Sequence, residues 1–398
     1  MSCSQLYHWT QRVTSHFPTL SRSQARLLAL YSFGLVLAHA CGLTAVALAL
    51  AKLQGQATNT VRQRLREWYQ EAAAKAGSHR RDIDPAACFG PLLGWVLATW
   101  TAPRLALALD ATYLGDRFIV LAVAVVYRGC AVPVAWVVRE AQQPGSWLPC
   151  WRGLLAGLAT RLPAHWTVTV LSDRGLESAD LFAGITALGW HPLMRVKQAG
   201  QFRPDGWHPF WPMRRLVPQV GRRWKGRGQA YKSLKQPLRC TLLARWEPGH
   251  EEPWLVLTDL GPQDADAAWY GWRCWIEQSF KVAKRGGWQW QRTRMTDGER
   301  ASRLWVVLAL ATLWLLEVGG MGAEVAAETF AAVDAVAGVV RACRLHSVFR
   351  EGLYTLLAAL WRGEPLPQGR FQAQEWPPVS EVHDLFTEED LINEKPYP

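Results

Sequence analysis

Cysteine is sparse and unpatterned in this chain of 398 residues. Its eight cysteines (Cys3, Cys41, Cys88, Cys130, Cys150, Cys240, Cys274, Cys343) form no CxxC pair and have no histidine at zinc-finger spacing, so they read as reduced, mostly core thiols of a cytosolic protein. The opening MSCSQLYHWTQRV lacks the charged-then-apolar build of a signal peptide. Long hydrophobic runs are few. Tyr31–Ala51 approaches the ~20 residues of a membrane span but is interrupted by His39, and Leu304–Leu316 is too short to cross alone. The Ala and Gly content of the first run suits tightly packed core helices. Acidic residues are also short: 33 Asp and Glu face 44 Lys and Arg, for a formal charge of +11. The deficit deepens before residue 375, because Glu375–Pro398 carries seven acids against Lys395 alone and leaves the rest near +17. Such a body favours a polyanionic partner.

With 49% apolar residues, most of the chain should fold, and its length suggests two or three domains. Residues 1–103 read as a helical, DNA-binding domain, with Ser21 and Ser23 as caps before ARLLALYSF. Around the Gln54-Gly55-Gln56 turn, residues 43–72 have the outline of a helix-turn-helix. Its second helix, capped at Thr58–Thr60, would turn Val61, Leu65 and Trp68 inward and Arg62 and Arg64 outward. At Arg104 the pattern changes. LALALD, FIVLAVAVVY and AVPVAWVV are strands joined at Gly115 and Gly129, an antiparallel meander. A helix at 151–161, the strand TVTVLSD, a helix at 177–188 and the strand PLMRVK follow. Three hairpin-linked strands followed by alternating helix and strand give an α/β fold with a ribonuclease H-like catalytic core, expected over 104–199 and 251–360.

Residues 200–250 break that rhythm with ten Lys and Arg between Arg203 and Arg239 against Asp205 alone, and with Trp207, Trp211, Trp224 and Trp246. They read as a β-rich basic insertion whose cations, Arg222, Arg223, Lys225 and Arg227 among them, meet phosphate. WLVLTDL returns to the core pattern, Arg292 and Arg294 add charge, and apolar helices at 303–317 and 324–345 should cover the sheet. Residues 361–398, Pro-rich then acidic, are expected to be a disordered tail able to compete with DNA for the basic groove.

The chemistry is expected to sit where three acids meet. Asp110 closes the first strand and Asp173 the strand after the meander, with Asp116 as an alternative to Asp110. Glu277 lies in YGWRCWIEQSFKVAK, where at ~100° per residue Tyr270, Arg273 and Lys284 fall within about 40° of it around a helix. Carboxylates from three elements can hold two Mg²⁺ ions, with Mn²⁺ able to substitute, and two such ions suit phosphoryl transfer on a nucleic acid.

Tyr270, Arg273, Glu277 and Lys284 match the spacing of the YREK signature, and here the sequence resembles the bacterial insertion-sequence DDE transposases that cut and paste DNA. LALDATYL and LSDRG resemble that family's aspartate motifs over a region of about 104–345. The resemblance implies Asp110, Asp173 and Glu277 as the catalytic metal triad. Tyr270, Arg273 and Lys284, with Arg174 beside Asp173, would grip the ends of the element. A Trp of the insertion, Trp246 before Trp224, would receive a flipped base if the reaction passes through a hairpin. It also implies double-stranded DNA partners (terminal inverted repeats and target), a homodimer in the synaptic complex and a cytoplasmic, nucleoid-associated location. Two other readings keep the basic surface: a DNA-binding regulator on an inactive scaffold, and a structure-selective nuclease that does not join strands.

Overall fold

The computed structural model describes residues 2–75, 81–334 and 346–381. Five helices come first: α1 (Ser2–His16), α2 (Arg22–Ala38), α3 (Leu43–Gln54), α4 (Thr58–Arg66) and α5 (Ala86–Leu97). Ser21 caps α2, and Gln24 closes a capping box with it, so two otherwise orphaned amides are satisfied at once. His39, in the left-handed region at φ 49°, ends α2, and α3 leaves at 94° to it. The apolar run Tyr31–Ala51 is therefore two core helices. The start of α4 differs from expectation. Its N-cap is Ala57, with no side-chain bond, and Thr58–Thr60 already lie inside the helix, because Gly55 at φ 63° turns the chain early.

The meander is β1 (Arg104–Leu114), β2 (Phe118–Tyr127) and β3 (Cys130–Glu140). After it come α6 (Leu148–Ala159), β4 (Thr167–Ser172), α7 (Ala179–Thr186) and β5 (His191–Arg195). The basic segment forms β6 (Gln201–Pro204), β7 (Trp211–Pro212), β8 (Arg223–Ala230) and β9 (Leu238–Arg245), and the chain returns through β10 (Trp254–Thr258). All ten strands make one mixed sheet in the order β3-β2-β1-β4-β5-β10-β9-β8-β6-β7. β4 runs parallel to both β1 and β5, and the other pairings are antiparallel. The insertion is thus an extension of the sheet through the β9–β10 ladder. Its strands satisfy an edge that β10 would otherwise leave open.

Next come α8 (Cys274–Lys281), α9 (Gly298–Asp334) and α10 (Val348–Arg362). Where two helices were expected at 303–317 and 324–345, α9 continues without a break to Asp334, and residues 335–345 lie outside the described residues. The stretch Gly298–Met321 is long and apolar enough to cross a membrane, yet 94% of its apolar window is buried inside the fold, against β3, α2 and α10. The tail also departs from expectation. Residues 363–381 lie against the body, with Phe371 fully buried and its amide bonded to Thr99 Oγ1 at 2.7 Å, and residues 382–398 lie outside the described residues.

One continuous core joins the N-terminal helices to the sheet. Trp9 of α1 stacks on Trp314 of α9 at 3.8 Å between centroids, and buried Arg303 of α9 donates to the carbonyls of Tyr69 and Ile83. The Nη2 of Arg12 donates to both Glu317 oxygens at 2.9 Å, and Trp95 Nε1 donates to the same carboxylate at 3.2 Å. Burial raises the Glu317 pKa above the ordinary glutamate value although Arg12 opposes it. Removing Arg12 strands this carboxylate, so Arg12→Met should cost about 3–5 kcal/mol in urea unfolding at neutral pH. An acid raised in the folded state favours folding while protonated and loses that advantage as pH rises through its folded value. The Arg12→Met deficit should therefore shrink towards pH 4 and widen above it; a pH-independent deficit would mean that lost packing of Arg12 on Trp95 dominates.

Candidate functional site

The pairing of β1 with β4 sets the geometry. Leu109 is level with Ser172 in their parallel register, so the next residues, Asp110 within β1 and Asp173 just past β4, stand side by side. Contrary to expectation, β1 does not end at Asp110. It continues to Leu114 because β2 still pairs with it, and what ends beside Asp110 is its parallel neighbour β4. Asp116 is exposed at the tip of the β1–β2 hairpin, four positions beyond Thr112. Asp173 caps the turn Arg174–Leu176, its Oδ1 accepting from the Arg174 amide at 2.6 Å.

The stretch from Tyr270 to Lys284 is not one α-helix. Ala267–Arg273 is a 3₁₀ helix, Cys274–Lys281 is α and Val282–Gly286 is π. The 3₁₀ turn eclipses positions three apart, so Tyr270 lies over Arg273 more closely than α geometry would put it. The π turn closes the helix after α8 and carries Lys284. The helix is pinned to β3 by Ser279, whose hydroxyl donates to the Ala131 carbonyl at 2.6 Å and accepts from its amide at 2.8 Å.

Arg273 is the centre of the site. Its Nη2 lies 2.8 Å from Asp110 Oδ1 and 3.4 Å from Asp173 Oδ2, and its Nη1 bonds Glu277 Oε1. Three carboxylates from β1, the end of β4 and α8 therefore share one guanidinium. Side-chain exposure rises from 17% at Asp110 to 36% at Asp173 and 46% at Glu277, so the cluster is a cleft with Asp110 at its floor. Burial pushes the Asp110 carboxyl up to about 6, against the opposing pull of Arg273, with Glu277 and Asp173 adding to the rise. Burial alone would lower Arg273, but Asp110, Asp173, Tyr270 and Glu277 raise it above its usual value. Lys284 is lowered by burial and by Arg285, while Asp110 pulls it the other way. The Tyr270 hydroxyl is raised by burial and by Asp173, and its ring meets Trp254 edge-on at 5.6 Å.

Arg273, expected to grip the ends of the element, lies in this structure among the three acids. Like charges so close need a counter-charge, and the guanidinium fork supplies donors to all three. Among the described residues, no group of three or more His, Cys, Asp or Glu side chains is set to hold a metal ion as the side chains stand. The donor set itself is of the right kind, since carboxylate oxygens are the hard ligands that Mg²⁺ takes.

The cations expected to meet DNA are divided. Arg292 and Arg294 are exposed on the segment that Arg117 anchors through the carbonyls of Thr293 and Met295, and Arg227 and Arg64 are exposed too. Arg222 and Arg62 are half-buried. Arg174 pairs with Glu252 at 2.8 Å, Arg223 with Glu247 at 3.0 Å, and Lys225 donates to the Ser380 carbonyl at 2.7 Å. Trp246 and Trp224 are each 8% exposed, which does not fit a ring held out for a flipped base. Arg214 covers Trp246 at 4.6 Å while its indole donates to the His250 carbonyl, and Trp224 packs on Phe202. Both serve the core of the insertion.

Several residues around the site escaped the sequence reading. Arg195 lies 5.9 Å from the Tyr270 ring and 3.7 Å from Glu252. Asp266 caps the 3₁₀ turn, its Oδ1 accepting from the Ala268 amide at 2.8 Å. The Asp before AAWY is a capping signal that could have been read; Arg195 has no comparable signature. Cys41, Cys88, Cys130, Cys150, Cys240 and Cys274 are free thiols; the first three and Cys240 are buried, but Cys274 is exposed on α8 beside the cluster.

Residues 151–314, short of half the chain, match the family model of the transposase DDE domain, a span that includes Asp173, Arg273 and Glu277. No curated protein matches the chain. Among solved structures, the chain is similar to one in a cryo-EM structure of the piggyBac transposase synaptic complex with hairpin DNA, at 9% identity and a TM-score of 0.36, covering 86% of this chain and 72% of that one. A likeness so loose identifies neither fold nor chemistry.

Proposed function

We propose that this chain is a DNA transposase with a ribonuclease H-like core, which binds terminal inverted repeats and uses Asp110, Asp173 and Glu277 with Mg²⁺ to cleave one strand and join the freed 3′-hydroxyl to target DNA. The observation that carries the reading is that three acids from distant parts of the chain meet one arginine beside the end of β4. The match of 151–314 to the transposase DDE domain supports it independently.

Asp110, Asp173 and Glu277 would hold the metal, which when bound lends a nucleophilic oxygen and stabilises the leaving one. Arg273 and a divalent ion compete for the same oxygens. In that competition Arg273 is the group able to turn to a scissile phosphate, with its bidentate donors already at the acids. Lys284 adds a positive charge on the same side, and Tyr270, buried against Trp254, keeps the 3₁₀ turn in register. The exposed cations Arg292, Arg294 and Arg227 are suited to phosphate contacts beyond the cleft. Assembly as a homodimer on paired ends and a nucleoid-associated cytoplasmic location belong to the same proposal.

Labelled element ends incubated with protein and Mg²⁺, with and without target DNA, test it. Cleavage followed by joining supports transposition, cleavage alone supports a nuclease, and binding without cleavage supports a regulator. On the same ends, Arg62→Ala with Arg64→Ala should weaken binding about tenfold or more while random DNA loses less, as base-reading contacts require. Equal losses on both DNAs would reduce α4 to a phosphate contact.

A further inference from the structure

Past α10 the chain crosses the body as an extended strap, and its residues 376–380 reach the 3₁₀ turn that carries Tyr270 and Arg273. Four contacts hold it there. The Trp269 indole donates to the Pro377 carbonyl at 2.8 Å. The Trp376 ring meets Trp269 at 5.0 Å and Trp272 at 4.6 Å. The Arg104 guanidinium, at the start of β1, lies 3.9 Å from the Trp376 ring and 4.2 Å from that of Trp269. The Ser380 amide donates to Asp266 Oδ2 at 2.9 Å, and its hydroxyl bonds the same oxygen. That carboxylate uses its other oxygen to cap the turn at Ala268. One buried acid thus joins the strap to the first residues of the segment that delivers Arg273.

We propose that residues 364–381 are a positioning brace for the site, with Trp376 and Ser380 fixing the Asp266–Arg273 turn so that Arg273 and Glu277 stay in register with Asp110 and Asp173. The strap fits this role for a physical reason. A 3₁₀ turn of seven residues is longer than such helices usually run, and its hydrogen bonds are poorly aligned, so an outside clamp is what keeps it fixed. Trp269 and Trp272, three apart in the turn, project on one side and receive Trp376; Tyr270 and Arg273, the next pair at the same spacing, lead to the acids. The brace also reaches the insertion, since Lys225 of β8 donates to the Ser380 carbonyl. The turn that holds Arg273 and the strand that carries Lys225 are therefore tied at one residue.

Its effect on cleavage rests on the transposase reading; its effect on the turn does not. Hydrogen exchange should show the Ala268 amide exchanging about tenfold faster in a chain ending at Gln374, which loses the Ser380 bonds to Asp266, and in Trp376→Ala, which loses the ring packing on Trp269 and Trp272. Amides of β1 and β4 should be unchanged, and Trp376→Phe should restore protection. On element ends, both variants should lose about tenfold in turnover at unaltered DNA affinity, and removal of residues 382–398 alone should leave turnover and exchange as they were. Unchanged exchange across 266–273 would overturn the brace. So would loosening spread over the whole sheet, which is what a merely structural segment would give, or an equal loss on deleting 382–398, which would assign the effect to the acidic end. If the native chain cuts no DNA, the transposase reading falls and the exchange result alone decides the brace.

Discussion

Asp173→Asn and Glu277→Gln should each lower Mg²⁺-dependent cleavage of element ends by about 10³-fold or more, the several kcal/mol that a metal-polarised oxygen contributes to a transition state. Both variants should fold. The amide introduced by Asp173→Asn keeps an oxygen able to accept from the Arg174 backbone N–H, the capping bond that Asp173 makes at 2.6 Å, and Glu277 is the most exposed of the three acids. Asp110→Asn belongs to the same set and has a distinguishing feature. Its carboxylate is already disfavoured by burial at the floor of the cleft, so a neutral amide there should not weaken the fold, while the loss in cleavage should match that of the other two. DNA binding should persist in all three or tighten slightly, because each removes a negative charge beside Arg273. Wild-type cleavage in any of them would remove that residue from the triad. A parallel fall in DNA affinity would show that the acids organise the Arg273 guanidinium for binding more than they serve chemistry.

Much of the site could be read from sequence because its acids sit at points where patterns change. Asp110 and Asp173 follow alternating apolar runs, and the parallel β1–β4 register makes them neighbours without further adjustment. Glu277 and Arg273 are four apart in a helical stretch and so had to meet. What could not be read is which partner Arg273 prefers. Spacing assigns residues to a face but says nothing of a third element lying opposite, and the choice among phosphate, solvent and two distant acids is made by tertiary packing. The change of helix type along 267–286 escaped for a related reason. Periodicity over so few residues does not separate 3₁₀, α and π windings, and here the Asp266 cap sets where the 3₁₀ turn begins while Ser279 anchors α8 to β3.

Composition misled at the tail and the insertion. A Pro-rich, then acidic segment has the makeup of a disordered chain, yet Phe371 and Trp376 give residues 363–381 enough apolar surface to settle on the body. In the insertion, the surplus of arginine suggested a continuous phosphate-binding face. Several of those cations are instead spent within the fold, Arg239 on Asp205, Arg223 and Arg245 on Glu247, Arg214 on Trp246. Net charge counts such pairs only as a sum and cannot say where they close. The exposed remainder, Arg227, Lys232 and Lys235, with Arg292 and Arg294 outside the insertion, is a narrower and more testable footprint than the composition implied.

Gly352→Val should leave the chain largely unfolded or strongly destabilised, although the residue touches no acid and no cation of the site. A Cβ at Gly352 would stand 1.9 Å from the Leu315 carbonyl oxygen and 3.0 Å from the Gly319 amide nitrogen, and one at Gly319 would stand 2.0 Å from the Val348 carbonyl oxygen. These obstacles are backbone atoms of α9 and α10, so no rotamer change relieves them; the two helices must move apart. Ordinary overpacking costs ~1–3 kcal/mol. Separating a helix pair at the centre of the core should exceed that range with Val and reach its upper end with Ala, a large share of a net stability of about 5–15 kcal/mol. Gly153 in α6 is the matching control. It is exposed, nothing lies within 4 Å of its added Cβ, and Gly153→Ala should stabilise by up to ~1 kcal/mol through helix propensity alone. Chemical denaturation of the three variants reads opposite signs from one glycine-to-alanine change. Equal effects at 153 and 352 would mean that α9 and α10 do not cross as closely as Gly319 and Gly352 allow. Because α10 leads directly into the strap, a Gly352→Ala chain that still folds should also show faster exchange at Ala268, which links the helix crossing to the turn that carries Arg273.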